Sequence, residues 1–271
     1  MTLTPIAPGV YAWVADQPGH GRANAGVVID EDGITLIDAL AVPSQWEPFA
    51  AEVEAFGFPV RRLVLTSSNA EFAGGTARFR FAAVYGRQRA SAYLDQPADP
   101  AVLRRLYPEV AGEFDAEYAT RPVSHVVDAA VQLTPALAAY PMRGQQEENL
   151  VVFVPGAQVV FAGAMCAFAV APLAHQGDPA AWADQLDELI ALAPVIVPGH
   201  GPIGGEEEVR ELQAYLRACV AADGDASRIP PGPWDGWPGR EHDVVNVERA
   251  AMLARGDDGV PPSLLRHLGL T

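Results

Sequence analysis

The chain has 271 residues, 34 of them acidic and 18 basic, for a formal charge of −16, and 49% of it is hydrophobic. That balance supports a sizeable core and excludes a disordered polyelectrolyte; it also argues against nucleic-acid binding, which relies on basic residues displacing counterions. Every basic residue is arginine, so lysine Schiff-base and lysine general-base chemistry are excluded as well.

MTLTPIAPGVYAWVA lacks a basic head and a cleavage site and reads as a first strand. ANAGVVID and ITLIDAL follow as a strand pair closed by the turn EDG, with apolar residues running or alternating as in buried and half-buried strands. Between the first two strands lies DQPGHGRANAG, a Gly-rich segment read as mobile. From Pro43 the spacing of Trp46, Phe49, Val53 and Phe56 predicts a helix with one apolar face. RRLVLTSS reads as a buried strand, AEFAGGTARFR as the start of a helix, FAAVYGR as a strand, and the polar stretch to about Thr120 as helical. HVVDAAVQL, LAAYPMR, NLVVFVPG and AQVVFAGA then read as four strands, the last two joined at PGAQ. DPAAWADQLDELIALA is helical, VIVPGHG a strand and GEEEVRELQAYLRACVAA a long amphipathic helix; a Pro-, Gly- and Trp-rich tail from about residue 225 carries a short helix around VVNVERAAMLA.

Strands then helices occur twice, which fits two αβ halves packed sheet to sheet in one four-layer αββα domain spanning residues 1–271. No run reaches the ~18 apolar residues of a membrane span. Cys166 and Cys219 are too isolated for a zinc knuckle or disulfide framework, so a reducing cytoplasm is the expected location.

Five stretches in order, VVIDEDGITLIDAL with its Asp38, LTSSNAEFAGG, MRGQQEENLVVFVPG, VVFAGA and VIVPGHGPIGG, resemble the metallo-β-lactamase-fold superfamily over nearly the whole chain. The Trp-rich tail and NVERA resemble a branch of small-molecule hydrolases. The resemblance implies an α/β four-layer sandwich. It also implies a cleft in which H-x-H-x-D-H, a later His, an Asp and a last His hold one or two zinc ions that generate hydroxide at neutral pH.

Mapped onto this chain, the first loop supplies Ser67, Asn69, Glu71 and Phe72, the next His position is Gln145, the Asp position is Ala164, and only His200 matches. Hydroxyls and amides are feeble zinc ligands and Phe and Ala are none, so no metal and no other cofactor is expected, and a dinuclear hydrolase mechanism does not fit. The resemblance places Glu71 beside His200. Such a pair would raise the imidazole pKa, and serves either as a metal-free general acid–base or as a salt bridge filling a hole. Asn69 and Gln145 either orient a substrate carbonyl or satisfy each other. Ser67 and Ser68 lack a nucleophile elbow. Phe72 and Ala164 would dry and shrink the pocket. His20 and Arg22 fall in the loop that resembles a flap over the cleft, and His242 in a tail segment placed near it. His125, His175 and His267 have no such context, and Gln146, Glu147 and Glu148 read as a solvated turn.

The expectation is therefore a metal-independent enzyme, a lyase, isomerase, cyclase or hydrolase acting on a small organic molecule, in specialised metabolism. A non-catalytic binding protein of the same fold is the first alternative. A residual mononuclear metallohydrolase built on Glu71, His200 and either His20 or His242 is the second. The expected partner is a small-molecule substrate, with no nucleic acid and no membrane; the oligomeric state is left open.

Overall fold

Alternation along the strands decides the architecture. The computed structural model describes residues 2–96 and 99–270. Its first sheet has seven strands in chain order: β1 (Leu3–Ala7), β2 (Val10–Trp13), β3 (Ala25–Asp30), β4 (Gly33–Ile37), β5 (Val60–Val64), β6 (Ala83–Gly86) and β7 (His125–Val126). The pairs are antiparallel as far as β4 and parallel thereafter. The second sheet has the order β12-β11-β10-β9-β8, comprising β8 (Val131–Thr134), β9 (Leu137–Met142), β10 (Asn149–Val154), β11 (Val159–Ala167) and β12 (Val195–His200).

Neighbouring residues on a strand face opposite ways, and here each way is apolar. Val28, Ile37 and Val64 pack with Leu150, Val152 and Phe161 between the sheets. Val27, Leu36 and Leu63 pack on the far side of the first sheet with Phe49 and Val53 of helix α1 (Pro43–Ala55). Val151, Val160 and Ile196 pack on the far side of the second with Leu186 of α5 (Pro179–Leu192) and Leu212 of α6 (Glu206–Ala221). Both sheets are thus buried on both faces, and the layers run helix, sheet, sheet, helix.

The helices start where capping chemistry allows. Asp178 accepts the Ala180 and Ala181 N–H groups at the head of α5, and the Glu208 carboxylate takes the Gly205 N–H at the head of α6, each satisfying donors that the helix itself leaves open. The smaller helices are α2 (Ala70–Ala73), α3 (Gln88–Leu94), α4 (Pro100–Leu106), α7 (Asp243–Ala254) and α8 (Pro262–His267). No helix among the described residues is long and apolar enough to cross a membrane.

Four readings of the sequence need correction. The N-terminal stretch is two strands, β1 and β2, folded as a hairpin. HVVDAAVQL is not one strand: its start, β7, ends the first sheet and its close, β8, edges the second, so this segment carries the chain between layers. AEFAGGTARFR gives only the one-turn α2 and a tighter 3-10 turn over Gly74–Ala77. A Cβ on Gly74 would lie 1.9 Å from the Ala41 carbonyl oxygen, so backbone lies directly on backbone here and the segment bends to follow it. The polar stretch to Thr120 is α3, α4 and a 3-10 turn, with Pro97 and Ala98 outside the described residues.

Candidate functional site

Two chain segments of unusual geometry meet at the C-terminal ends of β4, β5 and β12. After β4 the backbone turns through Asp38 (φ 62°) and Leu40 (φ 63°), a conformation that side chains larger than glycine adopt only under constraint. The constraint is visible: the Asp38 N–H donates to the Val64 carbonyl, the Ala39 N–H to that of Phe72 and the Gly75 N–H to that of Leu40. After β12, Gly201 (φ 90°) sits so close to Phe168 that a Cβ would fall 1.9 Å from its carbonyl oxygen, and this turn fixes His200 at the strand end.

Asp38 is buried and accepts the Thr66 backbone N–H at 2.8 Å and the Thr66 hydroxyl at 2.7 Å. Burial pushes its pKa up to about 8, the Thr66 bonds only partly opposing that rise. The folded state thus holds a proton that the unfolded chain releases near pH 3.8. The stability this provides is complete below that pH and declines as pH rises through about 8. Asp38→Asn should flatten the fall of unfolding free energy over this window by on the order of 1 kcal/mol per pH unit, as read from urea titrations at stepped pH.

Glu71, on α2, is 1% exposed, and one of its carboxylate oxygens lies 3.4 Å from His200 Nε2. The other accepts the Gly21 N–H at 2.7 Å and lies 3.7 Å from His20 Nδ1. Burial would raise the Glu71 pKa, but the facing His200 charge and then His20 outweigh it and bring it to about 2. For His200, burial works downward and the Glu71 charge more than reverses it, so its pKa is raised. His200 Nδ1 faces the Arg22 carbonyl oxygen at 3.2 Å. Both ring nitrogens therefore face acceptors, which is the arrangement of an imidazolium with no lone pair to offer. The two residues that sequence resemblance set side by side do meet.

His20 behaves oppositely. Burial lowers its pKa to about 4, against the pull of Glu71 and with the help of His242 and His200. Its ring stacks on Tyr107 at 4.8 Å and meets the His242 ring edge-on at 5.2 Å. The neutral tautomer favoured by the carboxylate carries its proton on Nδ1. Nε2 then holds a lone pair, and it is buried with no hydrogen-bond partner among the described residues. The flap carrying His20 is tied down at its end: Asn24 donates to the Pro198 and Gly201 carbonyls at 2.9 Å each and accepts the Ala15 N–H. Gln45 holds the Gly21 carbonyl at 2.8 Å.

The space between the sheets' ends, where the resemblance places zinc, has closed to a void of about 20 Å³ walled by His20, Glu71, Phe72, Gln145, Ala164 and His200. That is room for about one water molecule, and not for the organic substrate expected there. Phe72 is fully buried and lies edge-on to His200 at 5.5 Å, filling the centre. Among the described residues no three His, Cys, Asp or Glu side chains are placed to hold an ion. His200 Nε2 is aimed at Glu71, so this donor set does not fit zinc. Protein purified without added metal, analysed by inductively coupled plasma mass spectrometry, should contain no stoichiometric zinc.

The usable space lies beside the void. A cavity of about 270 Å³ is lined by His20, Ser68, Asn69, Tyr93, Leu94, Leu103, Tyr107, Tyr118, His175 and Gln176, among others. Of the residues singled out from sequence, His20 and Asn69 line it. His242 instead lines a separate cavity of about 250 Å³ under the tail, which shares His20 as a wall. The Arg22 guanidinium turns away to pair with Glu109 at 2.6 Å. Ser67 donates to Gln146 Oε1 at 2.9 Å and its oxygen accepts the Asn69 N–H, so it has no histidine partner.

Two readings change. Gln146 is no solvated turn residue: it is 6% exposed, and its amide also donates to Asn69 Oδ1 at 2.9 Å and Gln176 Oε1 at 2.6 Å. Asn69 is thus satisfied by Gln146 and not by Gln145. His175, without context in the sequence, lines the 270 Å³ cavity, and burial and then His20 lower its pKa to about 4. Only its place just after the apolar run AMCAFAVAPLA hinted that this histidine is partly enclosed.

No family model matches the chain. Its fold is nevertheless shared with solved metallo-β-lactamases. One from Pseudomonas aeruginosa, in its mono-zinc form, matches at TM-score 0.61 and 21% identity over 84% of this chain and 96% of that one. One from Erythrobacter litoralis matches at TM-score 0.60 and 21% identity over 79% and 95%, and one from Hirschia baltica at TM-score 0.59 and 16% identity over 79% and 96%. The chain has the metallo-β-lactamase fold, in a divergent form without an intact metal-binding group among its described residues.

Proposed function

We propose that this protein is a metal-independent enzyme that moves protons on a small organic molecule held in the 270 Å³ cavity. The carrying observation is His20, a neutral imidazole on the cavity wall with a buried carboxylate behind it and an unpartnered Nε2. The Glu71 charge, 3.7 Å from Nδ1, favours the tautomer with the proton there, and Tyr107 stacks on the ring. Nε2 accepts the proton from substrate, and the Glu71 charge offsets part of the burial cost of the imidazolium that forms, the logic of a carboxylate-oriented base. In this reading the Glu71–His200 pair keeps the carboxylate ionised, and the proton transfers belong to His20. Isomerase, lyase and cyclisation chemistry all begin with such a step.

The test is chelator-resistant exchange of acidic carbon-bound protons in D2O, followed by NMR across uncharged ketones, with His20→Gln as the control. Exchange that vanishes with chelator and returns with zinc would refute the reading. A second reading, binding without turnover, is favoured by the closed void and the saturated nitrogens of His200. It predicts ligand binding with no exchange at all.

A further inference from the structure

Among the described residues, the wall of the 270 Å³ cavity includes no arginine, aspartate or glutamate, and the chain has no lysine. A carboxylate or phosphate brought into it would leave water without meeting a counter-charge, and the protein's net charge of −16 adds a repulsive field. The cationic case fares no better, because no carboxylate of the described residues lines the wall, and Glu71 behind His20 is already paired with His200. Burial holds both histidines on the wall neutral at pH 7.

The apolar part of the wall is Leu94, Leu103 and Leu106 with the rings of Tyr93, Tyr107 and Tyr118. Three wall residues each carry one buried polar atom without a hydrogen-bond partner among the described residues: His20 Nε2, His175 Nδ1 and the Tyr118 hydroxyl. Such orphaned groups are costly, and a ligand that pairs them recovers that cost. Their chemistry is mixed. Burial keeps the Tyr118 phenol protonated, a donor seeking an acceptor such as a carbonyl. His20 Nε2 is an acceptor seeking an O–H or an acidic C–H.

We propose that the cavity takes an uncharged, ring-sized molecule that carries both a hydroxyl and a carbonyl on an apolar body. This rests on the cavity being the substrate site of the proposed function, and it names what that site selects. Charge is rejected by the absence of any counter-charge, and the hydroxyl–carbonyl pair is matched by Tyr118 and the two histidines.

Three probes with one phenol body separate the possibilities: 4-hydroxyacetophenone, neutral; 4-hydroxybenzoate, anionic; and tyramine, cationic. Saturation-transfer NMR and calorimetry at pH 7 should show the neutral probe binding about tenfold or more tighter than either ion, a difference of about 1.4 kcal/mol. Tyr118→Phe keeps the ring and its contact with Phe114, and should weaken the neutral probe about 2- to 10-fold, the worth of one hydrogen bond. Equal or tighter binding of either ion, no binding of any probe, or an unchanged Tyr118→Phe would each overturn the proposal. Selective binding of the neutral probe without proton exchange would refute the catalytic reading and leave this one standing, whereas exchange on a probe set that shows no charge preference would do the reverse.

Discussion

Glu71→Gln is expected to lower the free energy of unfolding by about 3 kcal/mol near pH 6, the range found when one member of a buried ion pair is removed. The reason is what remains behind. His200 would face a neutral amide in a pocket only one water molecule wide, and burial then acts on its imidazolium opposed only by backbone acceptors such as the Arg22 carbonyl. The variant's His200 should therefore titrate below the ordinary 6.5, where the wild-type residue titrates above it. The pH dependence gives the sharper check. Glu71, with its pKa depressed from 4.5 to about 2, contributes stability that is present above pH 4.5 and is lost as pH falls through about 2. His200, raised above 6.5, contributes stability that is full below that pH and is lost as pH rises through its folded value. The deficit of the variant should therefore be widest between pH 4.5 and 6.5 and narrow on either side. In a double-mutant cycle, Glu71→Gln with His200→Gln should cost less than the sum of the two by on the order of 1–3 kcal/mol. Additive losses would mean that the two side chains are not coupled.

The layers of the fold were legible because both faces of each sheet are buried and the strands say so in residue type: Val27 and Val28, or Val151 and Val152, supply opposite sides with equal apolarity. Crossing points were harder to see. HVVDAAVQL has the composition of one strand, and nothing local reveals that its two ends hydrogen-bond into different sheets. At the site, Glu71 and His200 could be paired because the resemblance fixes both positions in space. The resemblance singled out His20 and passed over His175, but neither's role was legible, because a lone histidine in a loop looks the same whether it faces solvent or a carboxylate fifty residues further on. Gln145 and Gln146 show the finest limit. They are adjacent, chemically identical and equally buried, and Ser67 reaches both, yet only the second also holds Asn69 and Gln176. Which of two neighbouring buried amides reaches Asn69 and which walls the void is decided by backbone geometry over a few residues, a detail that side-chain type does not encode.

His20→Gln should reduce proton exchange on 4-hydroxyacetophenone by about 100- to 10,000-fold, the usual contribution of a positioned acid–base group, while leaving its binding within about threefold because the amide keeps a hydrogen-bonding end. The step it removes is simple: the methyl C–H bond breaks, the proton passes to Nε2, and the electron pair moves to the carbonyl oxygen as an enolate; return of a deuteron from solvent gives the labelled product. Because Nε2 must be unprotonated, the rate should rise with a pKa near 4, the value to which burial depresses His20, and stay level through neutral pH. In Glu71→Gln the tautomer loses its anchor and the imidazolium its counter-charge, so that variant should also lose exchange, though His20 itself is intact. Retention of the full rate by His20→Gln would assign the proton transfer to another group; loss in His20→Gln with retention in Glu71→Gln would leave the imidazole as base and remove the carboxylate from the mechanism.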